Sequence, residues 1–266
     1  MSPAARSRRA RSYAGAAAAY QAGRPGYPLE ALRWCLPSAA RRVLDLGAGT
    51  GKLTGSLLQL EGGLEIVAVE PLPGLRSAIP RPAWPLAGLA EEIPLREGSV
   101  DAVLVGQAWH WFDPRRALAE VTRVLRPGGT FAALWNLLDD TVPWVAAVAD
   151  ACRTEDRVSV QLSDPAPPYR RRRGLTVPDH LTVRHAQPLE LDGLLANVSS
   201  RSSVLVLPEA ERAAVLARVR AVAPPGRFAL PYVCLAWRGN RTGAPAARRP
   251  RRGAPGGGLA MMAAPQ

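Results

Sequence analysis

Residues 43–51 have the sequence VLDLGAGTG, in which a short apolar run carrying one acid, Asp45, leads into three glycines. The apolar run is typical of a buried parallel strand. Helical spacing begins after Gly51, so the segment predicts a strand, a tight turn and a helix. Glycine lets such a turn adopt positive φ and approach a ligand closely, and the start of the helix offers unpaired N–H groups. The stretch therefore predicts the binding site of a nucleotide-like ligand.

Three kinds of glycine-rich turn could account for this stretch. The phosphate-binding loop G-x-x-x-x-G-K-[ST] does not fit, because Leu46 stands in its first glycine position and Leu53 in its hydroxyl position. The dinucleotide fingerprint G-x-G-x-x-G fits in part, with Lys52 in its third glycine position. The third kind has an acid two residues before G-x-G-x-G, where a carboxylate can attract the ammonium group of a ligand without pyrophosphate. A nicotinamide-dependent, NAD(P)-type oxidoreductase stays open as an alternative.

Composition favours one α/β domain and excludes several other classes of protein. The chain has 266 residues, 47% of them hydrophobic, and no apolar run approaches the ~18 residues that a membrane span needs. Its three cysteines and three histidines are widely spread, which predicts neither a disulfide framework nor a metal site. Because no secretion signal is recognisable and the thiols suit a reducing compartment, we expect a cytoplasmic protein.

The net charge of +12 is concentrated in three arginine-rich segments without acids. They lie within residues 6–11, 170–173 and 241–252, so the rest of the chain is close to neutral. No basic face studded with aromatic residues is recognisable, and nucleic acid is therefore not an expected partner.

Strand and helix patterns alternate along the rest of the chain. Apolar and β-branched runs predict strands at residues 64–70, 84–88, 99–106, 130–136, 181–185 and 227–237. Helical spacing predicts helices at residues 12–20, 29–36, 114–126, 142–153, 190–199 and 208–222. Four prolines leave little room for helix in residues 71–83, and Pro-Gly-Gly at 127–129 predicts a turn.

Three further segments carry candidate ligand contacts. Glu70 ends the second predicted strand, where a carboxylate can accept hydrogen bonds from both hydroxyls of a ribose. Residues 107–113, QAWHWFD, place aromatic rings and an imidazole at the carboxyl end of the most β-like strand, where ligands of α/β sheets bind. Residues 20–28, YQAGRPGYP, predict a stiff loop that could cover the cleft.

Taken in order, these motifs resemble the class I S-adenosylmethionine-dependent methyltransferases. They are RPGYP at 24–28, DLGAGTG at 45–51, Glu70, Ala-Glu at 90–91, QAWHWFD at 107–113 and LRPGG at 125–129. Within that superfamily the chain is most similar to methyltransferase type 11 domains of the branch that includes trans-aconitate-type small-molecule methyltransferases. The resemblance covers residues 12–136, about half of the chain.

The resemblance implies a Rossmann-like α/β fold: a mostly parallel seven-stranded sheet with helices on both faces and one antiparallel edge strand. It implies transfer of a methyl group from S-adenosyl-L-methionine to an oxygen, nitrogen or carbon of a small-molecule acceptor. A non-catalytic protein that binds the cofactor is the second alternative. The expected domain is 12–238, with a cofactor-binding half at 12–136 and a substrate side at 137–238. A basic, flexible segment at 1–11 and a disordered tail at 239–266 would flank it.

The same resemblance assigns candidate roles to individual residues. The cofactor would bind at Asp45, Gly47, Ala48, Gly49, Thr50, Gly51, Glu70, Pro71, Ala90, Glu91 and Gln107. The acceptor would bind at Tyr20, Arg24, Tyr27, Trp109 and Trp111. His110 is the candidate catalytic base or acceptor-orienting group, and Arg24 could pair with an anionic acceptor. Family members often carry an acid for the adenine amino group where this chain has Leu89, so Ala90 and Glu91 would supply that contact.

Overall fold

A computed structural model describes residues 17–162, 167, 169 and 174–243. The segment at 1–11, the arginines at 170–173 and the tail from residue 244 lie outside these residues. The helix expected at residues 12–20 is described from Ala17 onward.

Within the described residues, strands and helices alternate as the sequence predicts. The strands are β1 (Arg42–Leu46), β2 (Glu65–Val69), β3 (Trp84–Leu86), β4 (Val100–Gly106), β5 (Leu125–Leu138), β6 (Asp179–Leu189) and β7 (Phe228–Asn240). The helices are α1 (Ala17–Gly23), α2 (Leu29–Cys35), α3 (Lys52–Leu57), α4 (Pro73–Arg76), α5 (Pro114–Val124), α6 (Pro143–Ala151), α7 (Val158–Gln161), α8 (Leu191–Ser199), α9 (Ser202–Leu205) and α10 (Glu209–Val222).

The strands form one sheet in the order β3-β2-β1-β4-β5-β7-β6. β1 to β5 run parallel, whereas β7 pairs antiparallel with both β5 and β6. The predicted seven-stranded, mostly parallel sheet with one antiparallel strand is confirmed. That strand, β7, lies one place in from the edge. Its side chains are almost continuously buried, whereas those of β6 are half exposed, which suits β6 to the edge.

Among the expected boundaries that differ from the structure, those of β5 and β7 differ in ways that change the sheet. β5 begins at Leu125, so the Pro-Gly-Gly predicted as a turn lies inside a strand whose register shifts beside β4. β7 continues to Asn240, and Arg241 extends the pairing, because its amide donates to the carbonyl of Gly129. The Thr242 amide donates in turn to the carbonyl of Gly174. The expectation of disorder from residue 239 is therefore corrected for residues 239–242, whose distant partners the glycine-rich composition did not reveal.

Helices cover both faces of the sheet. The apolar side of α5, including Leu118 and Val121, packs on β4 and β5 on one face. Leu32 of α2 and Leu53 of α3 pack with Val43 on the other. α6, α8 and α10 enclose a third cluster around Tyr232 of β7.

β1 lies between β2 and β4, so the chain leaves the middle of the sheet in opposite directions on its two sides. In open α/β sheets, ligands bind in the crevice beyond the carboxyl ends of the strands at such a switch point. The glycine turn at 47–51 and residues 107–113 both begin at this crevice.

Candidate active site

A cleft opens at the switch point between β1 and β4. Most of the residues predicted from the sequence line it: Tyr20, Arg24, Tyr27, Asp45, Gly47, Ala48, Gly49, Thr50, Glu70, Pro71, Gln107, His110 and Trp111. Ala108 and Phe112, within the segment 107–113 that was expected at the cleft, line it as well. Sequence reasoning missed a further group of lining residues: Lys52, Leu53, Leu72, Leu75, Gly106, Thr154, Asp156, Arg201, Ser202 and Ser203. The cleft therefore combines the two halves of the chain.

The turn after β1 leaves room for a ligand at one glycine and packs closely at another. Gly49 has φ of +58°, and a Cβ added there would meet no atom within 4 Å. Gly51 has φ of +84°, and a Cβ there would lie 2.5 Å from Cδ of Pro80. Gly49 thus exposes its main chain to the cleft. Gly51, which precedes α3, does not line the cleft and lets the helix pack on the segment after β2.

Glu70 connects the end of β2 to the glycine turn. Its Oε2 accepts a hydrogen bond from the Gly49 amide at 3.0 Å, and its Oε1 accepts one from the Leu72 amide at 2.9 Å. Burial raises the pKa of Glu70, and these amides partly oppose the shift. A carboxylate oxygen has more than one lone pair, so both oxygens can still accept from a ligand.

Asp45 is buried at the end of β1 with one oxygen engaged and one without a partner. Its Oδ2 accepts hydrogen bonds from the amide and the hydroxyl of Thr54, at 2.9 and 2.6 Å. Its Oδ1 has no hydrogen-bond partner among the described residues, and neither do Oγ1 of Thr50 and Oε1 of Gln107. Burial raises the pKa of Asp45 to about 7. Buried oxygens without partners are costly, so these atoms suit a polar ligand that supplies donors.

The segment after β4 divides its aromatic residues between cleft and core. Gln107 adopts φ of +56°, a conformation that is uncommon for non-glycine residues and recurs at functional sites, and its side chain donates to the Asn136 carbonyl at 2.9 Å. A short 3₁₀ turn follows, with the rings of His110 and Trp111 4.4 Å apart at the cleft. Trp109 does not line the cleft: the turn directs it into the core, where it packs on Phe131, and an acceptor contact from Trp109 stays a prediction.

The predicted adenine segment also stays outside the cleft. Ala90 is buried in the core, and Oε1 of Glu91 accepts a hydrogen bond from the Asp113 amide at 2.7 Å. Neither residue lines the cleft, so Glu91 supports the start of α5 in this structure. A cofactor contact from Ala90, Glu91 or Gly51 stays a prediction.

The loop between α1 and α2 forms one side of the cleft. The Tyr27 amide donates to Oγ of Ser56 at 2.8 Å, and the Tyr27 ring packs on Gly106, where a Cβ would lie 2.5 Å from the Tyr27 hydroxyl. Nδ2 of Asn136 donates to the Gly26 carbonyl at 2.9 Å, which fastens the loop to β5. Tyr20 and Arg24 line the cleft from the same side.

Residues of the C-terminal half complete the cleft. We call Arg24 together with Thr154, Asp156, Arg201, Ser202 and Ser203 the acceptor wall. Thr154 and Asp156 lie in the connection after α6, Arg201 precedes α9, and Ser202 and Ser203 are the first two residues of α9. No sequence motif marked these five residues. The only signal was the arginine at position 201 within an otherwise small and polar stretch.

Comparisons with known proteins agree with this geometry. A family model described as a methyltransferase domain matches residues 44–133. An uncharacterized methyltransferase of Mycobacterium tuberculosis is 46% identical over 234 residues, which cover 84% of this chain and 92% of that protein. A malonyl-[acyl-carrier protein] O-methyltransferase of Methylococcus capsulatus is 41% identical over 100 residues, 34% of this chain and 36% of that protein. A solved structure of a proposed type II methyltransferase from Anaeromyxobacter dehalogenans matches with a TM-score of 0.57 and 26% identity, covering 82% of this chain and 97% of that one.

These findings identify the family and its methyl donor. The mycobacterial relative is matched over nearly its whole length, and the seven-stranded sheet is that of the fold which the motifs implied. The partnerless oxygens of Asp45 and Gln107 and the open main chain at Gly49 fit a ligand with amino and hydroxyl groups. The chain belongs to the class I S-adenosylmethionine-dependent methyltransferases.

Proposed function

We propose that this enzyme methylates a small molecule that binds in the same cleft as the cofactor. The observation that carries the proposal is that one cleft joins Asp45, Gly49 and Glu70 to the acceptor wall. Side chains on that wall are buried or half-buried, with Arg201 only 3% exposed. Such a recess suits a small acceptor better than an extended polymer.

The residues around the glycine turn are proposed to hold the cofactor. When bound, S-adenosylmethionine supplies a methyl group activated by a positively charged sulfur. Oδ1 of Asp45 would accept from its ammonium group, and Glu70 would accept from its ribose hydroxyls. Gly47, Ala48, Thr50, Pro71 and Gln107 would line the rest of the site.

The acceptor side needs to align the nucleophile and to exclude water. Tyr20, Tyr27 and Trp111 would enclose the acceptor between the loop after α1 and the 3₁₀ turn. His110 lines the cleft, and its imidazole is proposed to take a proton from a hydroxyl or amine acceptor, or to orient an acceptor that has no proton to lose.

Ligand titration tests the cofactor assignment. We expect S-adenosylhomocysteine to raise the melting temperature of the purified protein and NADH to leave it unchanged, because a ligand that binds the folded state stabilises it. Transfer of label from methyl-labelled S-adenosylmethionine to a compound in a metabolite extract would then show catalysis. Binding of S-adenosylhomocysteine without any label transfer would favour a non-catalytic protein.

Replacement of His110 tests its proposed role. We expect His110→Ala to lower turnover by about 10²- to 10⁴-fold if the acceptor must lose a proton, because this is the usual contribution of a general base. His180→Ala is the matched control, since His180 is exposed on β6, packs against the ring of Trp237 in a tilted arrangement and does not line the cleft. Unchanged turnover in His110→Ala with intact cofactor affinity would remove the base from the mechanism.

The acceptor of this chain does not follow from the names of these relatives. The mycobacterial relative is uncharacterized, so membership of the trans-aconitate-type branch stays part of this proposal. The name of the Methylococcus relative places its methyl group on an oxygen of a malonyl substrate.

Among the described helices, none is long and apolar enough to span a membrane.

A further inference from the structure

We infer that the acceptor carries a carboxylate group and that Arg201 and Arg24 bind this group on the acceptor wall. The inference rests on the proposed function, because it specifies the chemistry of the acceptor in that same cleft. It concerns recognition of the acceptor, whichever of its atoms receives the methyl group.

Arg201 is a buried cation without an anionic partner among the residues that the structure describes. Its Nη1 donates to Oγ1 of Thr154 at 3.4 Å and its Nη2 to Oδ1 of Asn197 at 3.1 Å, and both of these partners are neutral. Within the same part of the chain, its Nε has no hydrogen-bond partner and no carboxylate forms an ion pair with it. A buried charge without a counter-ion is costly, so an anion in the cleft would relieve that cost.

Arg24 brings a second guanidinium to the same wall. Its Nε donates to Oγ of Ser200 at 2.9 Å, so it lies beside the residue that precedes Arg201 in the chain. Asn197 links the two positions, because its Nδ2 donates to the carbonyl of Gly23 and its Oδ1 accepts from Arg201. Burial raises the pKa of Tyr232, and the charges of Arg201 and Arg24 both oppose that shift, as expected if both guanidinium groups lie near its hydroxyl.

The charges on the acceptor wall favour a ligand with a single negative charge. Asp156 is the one acid of this wall, against the two arginines, so a net charge of +1 remains. A planar carboxylate fits a guanidinium in a bidentate manner and would balance this charge. A phosphate monoester would carry nearly two negative charges and would overcompensate it. The hydroxyls of Ser202 and Ser203 could donate further hydrogen bonds to the carboxylate.

A binding experiment can separate this inference from the proposed function. The protein is first saturated with S-adenosylhomocysteine. It is then titrated separately with two carboxylates, phenylacetate and octanoate, with the corresponding neutral amides, and with phenyl phosphate. We expect at least one carboxylate to raise the melting temperature further, and its amide to have no effect. The variants Arg201→Gln and Arg24→Gln should weaken carboxylate binding by about 10- to 100-fold, the usual value of a charge-assisted hydrogen bond. Their response to S-adenosylhomocysteine should stay that of the wild type.

Arg220→Gln is the matched control, because Arg220 is exposed on the last turn of α10, away from the cleft. Arg201→Lys keeps the positive charge but loses the planar pair of N–H donors that a guanidinium offers to a carboxylate. This variant should bind the carboxylate with intermediate affinity. If Arg201→Gln does not fold, Arg24→Gln provides the same test. The inference is wrong if no carboxylate binds, if carboxylate and amide bind equally, if phenyl phosphate alone binds, or if neither glutamine variant changes carboxylate affinity.

A second measurement uses turnover. A metabolite extract is divided by anion exchange before it is incubated with the enzyme and methyl-labelled S-adenosylmethionine. We expect the label to appear in the acidic fraction and to be lost with Arg201→Gln. Label confined to the neutral or basic fractions would overturn the inference and leave the proposed function standing. Absence of label from every fraction would count against both, and the S-adenosylhomocysteine titration would then show whether the cofactor site itself is at fault.

Discussion

Gly49 is the glycine of the turn at 47–51 where an added side chain would enter the cleft rather than meet the protein. Its positive φ costs an L-residue about 1–2 kcal/mol, and the space beside it is the cleft itself. We expect Gly49→Ala to lower the free energy of unfolding by about 1 kcal/mol and to weaken S-adenosylhomocysteine binding by at least about tenfold, because the methyl group would occupy ligand space. Chemical denaturation and isothermal titration calorimetry would measure the two effects.

Gly98→Ala is the control for this substitution. Gly98 has the same φ of +58° and equally open surroundings, but it does not line the cleft. The control should therefore show the loss of stability without the loss of affinity. Equal affinities for the two variants would mean that the ligand does not approach Gly49.

Asp45 should make the stability of the ligand-free protein fall as pH rises. Burial raises its pKa to about 7, above the value of about 3.9 in unfolded chains, so the folded state holds an extra proton between these values. Stability from this group is complete below about pH 4 and is lost as pH rises to about 7. Asp45→Asn should remove that loss, which makes the variant more stable than the wild type at pH 8 by on the order of 4 kcal/mol, about 1.4 kcal/mol for each of roughly three pH units. It should also bind S-adenosylhomocysteine more weakly.

Asp101 should affect the pH dependence of stability in the opposite direction to Asp45, and Asp101→Asn should remove that effect. Burial acts to raise the pKa of Asp101, but the amides of Arg42 and Arg41 and the guanidinium of Arg126 outweigh it and hold the pKa below its usual value. Its contribution to stability is therefore present above about pH 4 and is lost at lower pH. Urea denaturation at several pH values between about 3 and 8 would check both variants. If the free energy of unfolding depends on pH in the same way in the wild type and in Asp45→Asn, the raised pKa of Asp45 is contradicted.

Asn136 connects β5 to the loop that carries Arg24 and Tyr27. Its Nδ2 donates to the carbonyl of Gly26, and its Oδ1 lies 3.0 Å from Nε2 of His185. Burial lowers the pKa of His185 to about 4, so this imidazole is neutral at pH 7 and can donate to that oxygen. Asn136→Ala would leave two half-buried groups without these partners. We expect a loss of about 1–3 kcal/mol in unfolding free energy and a larger loss of affinity for the acceptor than for S-adenosylhomocysteine.

Asn240→Ala provides the comparison at the other end of the same strand pair. Asn240 is exposed, and its side chain donates to the Gly128 carbonyl and to Oγ1 of Thr130, none of which lines the cleft. The substitution should cost little stability and leave acceptor binding unchanged. If both variants weaken acceptor binding to the same extent, Asn136 does not act through the loop.

Sequence patterns located the strands and helices because each has a local cause. The buried run before Gly47 and the Asp113-Pro114 start of α5, where the Asp113 carboxylate caps the amides of Arg115 and Arg116, are visible in a few adjacent residues. The continuation of β7 past Trp237 has no local signal. It depends on Gly129 and Gly174, which are distant in sequence.

The part of the candidate site that sequence motifs form could be predicted from the sequence, whereas the part that the C-terminal half contributes could not. Asp45, Gly49 and Glu70 belong to strand ends with fixed spacing, so their convergence could be expected from the strand order alone. Arg201 and Thr154 reach the cleft only through the packing of α6 and α8 against β7, which no spacing in the sequence encodes. Trp109 faces the core rather than the cleft because successive residues of a 3₁₀ turn point about 120° apart, so that neighbours in sequence face different surroundings.

Truncation of the chain tests how much stability the extension of β7 past Arg238 adds. A chain that stops at Gly243 keeps every described contact of β7, and we expect its melting temperature to equal that of the full chain. A chain that stops at Arg238 loses the backbone hydrogen bonds of Asn240, Arg241 and Thr242. It should melt roughly 10 °C lower, at about 1 kcal/mol per bond. Equal melting temperatures for the two truncations would show that the extension of β7 adds no stability.

The two hydrogen bonds that the Glu70 carboxylate accepts from main-chain amides bear on how the enzyme exchanges its cofactor. Because this carboxylate accepts from the amides of both Gly49 and Leu72, the segments that follow β1 and β2 are held together by the protein's own hydrogen bonds. Little ordering entropy then remains to be lost on binding, which is the advantage of preorganisation. S-adenosylmethionine would then replace S-adenosylhomocysteine without a rearrangement of the sheet. Binding of the acceptor would be the step that requires residues from both halves of the chain.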